Sequence, residues 1–243
     1  YKVGSKVAMI LTIDTVRRLI MTKLAPTESI ASISSEINRP GRVVYLFFKR
    51  LVDIIGSLIA IALLLPVFML AAIGINMESK GPVFYRQQRV GLQGKNFSMW
   101  KFRSMQHKLS PADEARLLEA KRRAGVRFKM EDDPRITKVG KFIRKYSIDE
   151  LPQLFNVLIG EMSLVGPRPA LPSEVAEYTQ RQMVRLQSIP GITCIWQVSG
   201  RSNIPFVQQV EMDIEYICNA NIRLDLTLLL MTVPAVVLGK GAC

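Results

Sequence analysis

The chain has 243 residues, of which 49% are hydrophobic, and its 33 Lys and Arg against 20 Asp and Glu give a formal net charge of +13. This length allows a substantial core in one large or two small domains, and the basic, apolar composition indicates an anionic membrane surface or anionic substrates as partners. No zinc-finger, RNP-type or helix-turn-helix motif supports nucleic-acid binding, and three widely spaced cysteines with one histidine argue against a disulfide framework or a zinc site.

The first 41 residues form an N-terminal lead-in. Residues 14–25 mix apolar side chains with Arg17, Arg18 and Lys23, which fits either an amphipathic helix on a membrane or a solvated segment. Residues 26–41 are rich in Ser, Thr, Pro and Gly, so we expect a linker there.

A hydrophobic segment follows, in residues 42–80. Ile54 to Ile75 carries no charge, and these 22 residues are just long enough to span a bilayer as a straight helix. Pro66 lies in the middle, where it removes a backbone hydrogen bond and kinks the helix into halves too short to cross separately. Because basic clusters flank both ends, the positive-inside rule disfavours a spanning helix. We predict a re-entrant helix-break-helix on the cytoplasmic face, with a kinked spanning anchor and a buried soluble helix as the alternatives.

Residues 81–243 form a separate domain in this interpretation. Residues 81–105 alternate turn residues with short β-type runs, which predicts a small β-hairpin; its five basic residues fit either a solvated face or contacts with phosphate. We expect helices at 111–124, 138–145, 172–187 and 206–218, and a short strand within 189–201. Residues 226–238 are apolar but too short to span, and suit an interfacial or core helix. The predicted fold is α+β and predominantly helical, in a monotopic membrane protein with interfacial helices.

The central stretch, residues 147–169, places two adjacent acids in a locally basic region. Ser147 followed by Glu150 fits a capping box for the apolar run that begins at Leu151, whereas Asp149 as N-cap would put Pro152 within the first helical turn. On either register both carboxylates lie at a helix N-terminus, where a phosphoryl group could also bind. The residues alone favour capping over catalysis.

Several runs, taken together and in this order, resemble one family. They are Lys49 to Asp53, Gly81 to Gln87, Lys101 to Met105, Asp133 to Thr137, Ser147 to Val157, Ser163 to Pro169, Pro190 to Thr193 and Gln197 to Arg201. The family is that of the bacterial sugar transferases, also called monotopic polyprenyl-phosphate phosphoglycosyl transferases, and the resemblance covers residues 45–242. As a constellation it is specific, and it overturns the capping-only interpretation.

The resemblance implies an enzyme of the bacterial cytoplasmic membrane, with its catalytic domain (residues 81–243) on the cytoplasmic face. It would move a sugar-1-phosphate from a UDP-sugar to undecaprenyl phosphate and release UMP, the first membrane step of exopolysaccharide, O-antigen or capsule synthesis. Asp149 would be the nucleophile that forms a covalent Asp-phosphosugar, and Glu150, with Asp149, would face a Mg²⁺ ion. Both roles suit carboxylate chemistry. Arg144 and Arg168 are the expected cations at the transferred phosphate.

Further substrate contacts are expected from the same resemblance. The expected substrate-binding residues are Lys101, Arg103, Pro167, Arg168, Gly200, Arg201 and Asp213.

Two positions depart from the family pattern. Leu65 precedes Pro66 where small members often have Ser, and Cys194 stands where Gly is common.

Other functions and assemblies remain open at this point. The alternatives are a catalytically silent membrane scaffold for glycan assembly and a basic membrane-surface binding module. Neither would catalyse turnover, and neither function would depend on Asp149. Larger family members carry N-terminal membrane helices and an additional domain, so the chain is either a short form or the catalytic portion of a longer protein. A homo-oligomer is also compatible with the sequence.

Overall fold

A computed structural model describes residues 39–106 and 133–238, together with the helical residues 33, 35, 37, 115, 118 and 119. The predicted helix at 14–25 and most of that at 111–124 lie outside these residues. Ile33 is helical and fully buried, and it packs with Val184, Val210, Ile214 and Cys218. This end of the expected linker therefore belongs to the folded domain, because its spaced isoleucines find an apolar surface.

The longest element is the helix α1, Arg42–Glu78, which has 37 residues and is long and apolar enough to cross a membrane by length and composition. It continues through Pro66, so the structure shows one helix and the re-entrant path remains a prediction. One stripe of α1 is buried against the rest of the protein, while large apolar side chains on the other sides are exposed. The buried stripe comprises Lys49, Asp53, Ser57, Phe68, Ala71 and Ile75.

The predicted β-hairpin is confirmed. Strands β1, Phe84–Val90, and β2, Asn96–Phe102, pair antiparallel in a register that sets Phe84 opposite Phe102. The later helices and strands are α2, Lys138–Lys145; α3, Gln153–Ile159; β3, Ser163–Val165; α4, Pro172–Val175; α5, Gln180–Met183; β4, Gly191–Thr193; α6, Ile195–Ser199; α7, Phe206–Asn219; and α8, Ile222–Leu238. Strands β3 and β4 pair in parallel.

The N-terminal half of α1 is fixed to the domain by buried polar contacts. Lys49 Nζ donates to the carbonyl of Val165 at 2.9 Å. Asp53 Oδ1 accepts from Ser163 Oγ and from the backbone N–H of the next residue, each at 2.9 Å. Because these buried charges are satisfied by β3, and Lys49 also by Asp225 of α8, the contacts fix the rotation of α1 about its axis.

The C-terminal half of α1 packs on the same domain. Phe68 and Ile75 share an apolar cluster with Phe102 of β2 and Ile143 of α2. At the end of the helix, the Glu78 carboxylate accepts the first two backbone N–H groups of α2, at 2.6 and 2.7 Å. Both halves of α1 therefore contact one compact unit.

Two predicted elements differ from the structure. The single helix expected at 172–187 is divided into α4, α5 and a 3₁₀ turn, because Thr179 and Gln182 form a capping box that starts a new helix. The strand expected within 189–201 is limited to β4, and α6 follows it after one residue. The helices predicted at 138–145 and 206–218 are confirmed as α2 and α7.

Candidate functional site

The two central acids lie on a 3₁₀ turn, Ile148–Glu150, between α2 and α3. Ser147 adopts a left-handed conformation with φ 55° and makes no side-chain cap, and α3 begins only at Gln153. Both predicted helix-capping registers are therefore wrong. The capping box at Ser147 does not form because Glu150 is engaged by tertiary ion pairs, and Asp149 is not an N-cap because Pro152 takes that position in α3.

Glu150 joins three elements of the domain. Its Oε1 accepts from Lys101 Nζ of β2 and from Arg168 Nη2 of the loop after β3, each at 3.0 Å. Burial alone would raise the pKa of Glu150, but the charges of Arg168 and Lys101 outweigh it and hold the pKa well below its usual range. Glu150 is thus a permanent anion that organises the site.

Asp149 has the opposite environment. Burial, reinforced by the negative charge of Glu150, raises the pKa of Asp149 to about 6, and nearby Lys101, Arg144 and Arg168 only partly oppose this. None of the described residues donates a hydrogen bond to its carboxylate, in contrast with Glu150. A carboxylate with few hydrogen bonds and a raised pKa is a better nucleophile than its neighbour.

More cations surround the dyad than the sequence interpretation included. Burial and the charge of Arg168 lower the pKa of Arg89 to about 10, and Arg89 Nε is buried without a hydrogen-bond partner among the described residues. Burial also lowers the pKa of Arg201, which is within the electrostatic range of Glu150 and Arg168. Guanidinium groups crowded in this way favour binding of a polyanion, which would relieve their mutual repulsion.

The loop that carries Arg168 is held by close backbone packing. Gly166 and Gly191 approach so closely that a Cβ on either would collide with the backbone of the other. Gly191 N–H donates to the carbonyl of Pro167 at 2.9 Å, and Arg89 Nη1 donates to the carbonyl of Pro169 at 3.1 Å. Predicted residue Pro167 therefore fixes the loop through its backbone, and Arg89 links the loop to β1.

Two predicted substrate-binding residues make no direct contact with the dyad: Arg103 contacts the end of α1, and Asp213 is linked to the Arg168 loop through Arg185, whose Nη2 donates to the carbonyl of Arg168 at 3.4 Å. Arg103 donates to the carbonyls of Ser79 and Lys80, at 2.6 and 2.9 Å, just after the end of α1. Asp213 is fully buried, which raises its pKa to about 6, and it accepts from Arg185 Nε at 2.8 Å. Their roles toward a substrate remain predictions.

Gly200 and Arg201 form the corner after α6. Gly200 is the C-cap residue of α6, and Arg201 follows in a left-handed conformation with φ 52°. A left-handed arginine is uncommon, and the substrate-binding role of Gly200 and Arg201 stays a prediction.

The family of the chain follows from comparing its sequence with models of protein families. The model of the family described as "Bacterial sugar transferase" matches residues 44–239. The chain belongs to the bacterial sugar transferase family.

Individual members differ in length from this bacterial sugar transferase. The chain is 44% identical over 201 residues to the galactosyl transferase CpsE of Streptococcus agalactiae. The matched region covers 82% of the chain but only 44% of CpsE. The chain is 37% identical to the exopolysaccharide production protein ExoY of Rhizobium meliloti, across 80% of the chain and 87% of ExoY. The UDP-glucose:undecaprenyl-phosphate glucose-1-phosphate transferase of Klebsiella pneumoniae is 39% identical, across 84% of the chain and 43% of its own length. The chain thus spans less than half of two of these relatives and most of the third.

Two roles in this bacterial sugar transferase do not follow from the sequence analysis: that of Arg89 beside the dyad, and that of Lys49 and Asp53 as buried anchors of α1. Arg89 is one of several basic hairpin residues in the sequence, and its place beside Arg168 depends on the contact of β1 with a distant loop. Lys49 and Asp53, four residues apart at the start of an apolar helix, carried a usable signal, because charges in such a position need buried partners.

Proposed function

We propose that the chain transfers a sugar-1-phosphate from a UDP-sugar to undecaprenyl phosphate and releases UMP, with Asp149 as the nucleophile. The observation that carries the proposal is the asymmetry of the dyad: Glu150 is held by two cations, while Asp149 has a raised pKa and no hydrogen-bond donor among the described residues. The name of the Klebsiella pneumoniae relative supplies the donor and acceptor classes.

In the first step, a carboxylate oxygen of Asp149 attacks the phosphorus that carries the sugar. The bond from that phosphorus to the bridging oxygen breaks, and UMP leaves with the electron pair, so an aspartyl phosphosugar forms. In the second step, a phosphate oxygen of the lipid attacks the same phosphorus and the Asp149 carboxylate is released. Lys101, Arg144 and Arg168 would neutralise the charge that develops on the phosphoryl oxygens.

A magnesium ion fits the acidic groups of this site. The described residues contain no group of three or more His, Cys, Asp and Glu that could hold a metal by themselves. Mg²⁺, however, commonly uses one or two carboxylates with substrate phosphate oxygens and waters, and the Asp149 carboxylate and Glu150 Oε2 are the available ligands. When bound, it would neutralise the diphosphate and stabilise the leaving UMP.

The membrane geometry supports an acceptor that is a lipid. A bacterial sugar transferase with this fold would lie on the cytoplasmic face of the inner membrane, with the exposed apolar side of α1 in the bilayer. The turn that carries the dyad packs, through Ile148 and Leu151, in the cluster formed by the C-terminal half of α1. This proximity would place a lipid phosphate near the dyad while its chain stays in the membrane.

The test is UMP release from a panel of UDP-sugars by the purified protein in nanodiscs with Mg²⁺, with and without undecaprenyl phosphate. We expect turnover that requires the lipid and falls at least a thousandfold in Asp149→Asn, because the amide is not a nucleophile. Glu177→Gln, which also replaces a carboxylate by an amide but at an exposed position, serves as the control and should match the parent. Asp149-independent UMP release, or folded protein without any UMP release, would contradict the proposal and favour the silent scaffold.

A further inference from the structure

We propose that the cavity at the N-terminal end of α1 binds the headgroup of an anionic glycerophospholipid. The cavity measures about 340 Å³, within the range of about 300–1,000 Å³ that is usual for small-molecule sites. It lies between α1, the turn of the β-hairpin and the residues before β4. The lining includes Arg39, Arg42, Tyr45, Leu46, Leu92 and Ser188.

The charge of the cavity is suited to a phosphate ester. Three of its lining residues are cationic, and among the described lining residues none is acidic. Lys49 is paired with Asp225 at 3.1 Å, so the charge available to a ligand is that of Arg42. Arg42 Nη1 donates to the carbonyl of Ile217 at 2.9 Å, a contact that fixes the guanidinium without neutralising it. A basic pocket beside a membrane helix is a recurring site for anionic lipid headgroups.

The surroundings favour a lipid over a free phosphate. Val43 and Leu46 line the cavity, and both are exposed, Val43 by 80%. They continue into the exposed apolar side of α1 through Phe47. A phospholipid would place its phosphate against Arg42 and its acyl chains along this side of the helix, whereas a free phosphate would leave that apolar surface in water.

The cavity is separate from the Asp149 centre. None of its lining residues belongs to the dyad or to its cations. The turn of the dyad packs near Phe68, 22 positions along α1 from Leu46 of the cavity. On the side of the hairpin, Ser188 lines both this cavity and a small neighbouring cavity that includes Arg168, so the two sites adjoin there without sharing a charged residue. The lipid proposed here is therefore distinct from the acceptor, and the site does not depend on the proposed transferase activity.

The test measures the melting temperature of the full chain in a non-ionic detergent during titration with dihexanoyl phosphatidylglycerol. Dihexanoyl phosphatidylcholine and glycerol 3-phosphate are the comparison ligands. We expect a saturable stabilisation by phosphatidylglycerol, and at least tenfold weaker apparent affinity for each comparison ligand. Equal stabilisation by phosphatidylcholine, or full stabilisation by glycerol 3-phosphate, would overturn the lipid-headgroup site.

Two variants locate the binding. Arg42→Gln removes a charge, and Leu46→Trp fills the cavity while keeping every charge. Because the two variants change the cavity in different ways, the test still stands if one of them fails to fold. Each should weaken phosphatidylglycerol binding at least tenfold. Arg86→Gln removes an exposed arginine that stacks on Trp100 in the hairpin, and should bind as the parent does. Parent-like binding by both cavity variants would contradict the assignment.

Discussion

Asp149 and Glu150 are neighbours in sequence, but their surroundings shift their proton affinities in opposite directions. Glu150 receives two charge-assisted hydrogen bonds, and Asp149 receives none from the described residues. Two carboxylates in one site separate their roles when the environment separates their pKa values. The pair therefore divides into an anchoring anion and a reactive carboxylate.

This separation predicts a pH dependence. Because the pKa of Asp149 is raised to about 6 and only its ionised form attacks, kcat/KM for UMP release should be level above that value. Below about pH 6 it should fall roughly tenfold for each further pH unit. Asp213, whose pKa is also raised to about 6, is tested separately: Asp213→Asn should keep the same midpoint. A midpoint that moves in Asp213→Asn would contradict the assignment to Asp149.

At the scale of the elements, features set by local sequence could be predicted, whereas features set by contacts between distant residues could not. The hairpin, α2 and α7 could be predicted because turn residues and side-chain periodicity are local. The capping box at Ser147 failed because Lys101 and Arg168, 49 and 18 residues away from Glu150, compete for its side chain. Similarly, nothing near Asp53 in the sequence identifies Ser163 as its partner, 110 residues later.

The attachment of α1 to β3 predicts a stability effect. Asp53 is buried and accepts from Ser163 Oγ and a backbone N–H, so Asp53→Ala leaves two buried donors unsatisfied and should cost about 3 kcal/mol of unfolding free energy. Asp53→Asn keeps an oxygen acceptor and should lose about 1 kcal/mol. Urea unfolding in detergent measures both. Equal loss in the two variants would show that the carboxylate charge, rather than its acceptor oxygen, holds the helix.

At the scale of the whole molecule, α1 is about 55 Å long as a straight helix, well beyond a hydrocarbon core of about 30 Å. Both of its halves contact the same domain, from Lys49 near one end to Glu78 at the other. A helix that crossed the bilayer would separate these two contacts by the membrane. The arrangement therefore favours a monotopic protein whose apolar side faces the lipid.

The proposed membrane geometry predicts one-sided labelling. In a Cys243→Ser background that keeps the buried Cys194 and Cys218, single cysteines replace Pro40 and Lys80, two exposed residues that flank α1. Both should react with an impermeant maleimide in inverted membrane vesicles and neither in intact spheroplasts. Glu177→Cys on the catalytic domain is the orientation control. Labelling of Pro40→Cys and Lys80→Cys from opposite faces would show a spanning helix.

The covalent aspartyl phosphosugar is the central claim, and intact-protein mass spectrometry tests it most directly. The parent, mixed with Mg²⁺ and its UDP-sugar but without lipid acceptor, should gain the mass of one sugar phosphate and lose it when undecaprenyl phosphate is added. Glu177→Gln should behave in the same way, while Asp149→Asn should show no adduct. Steady UMP release with no adduct at any time, or an adduct that persists in Asp149→Asn, would contradict Asp149 as the nucleophile.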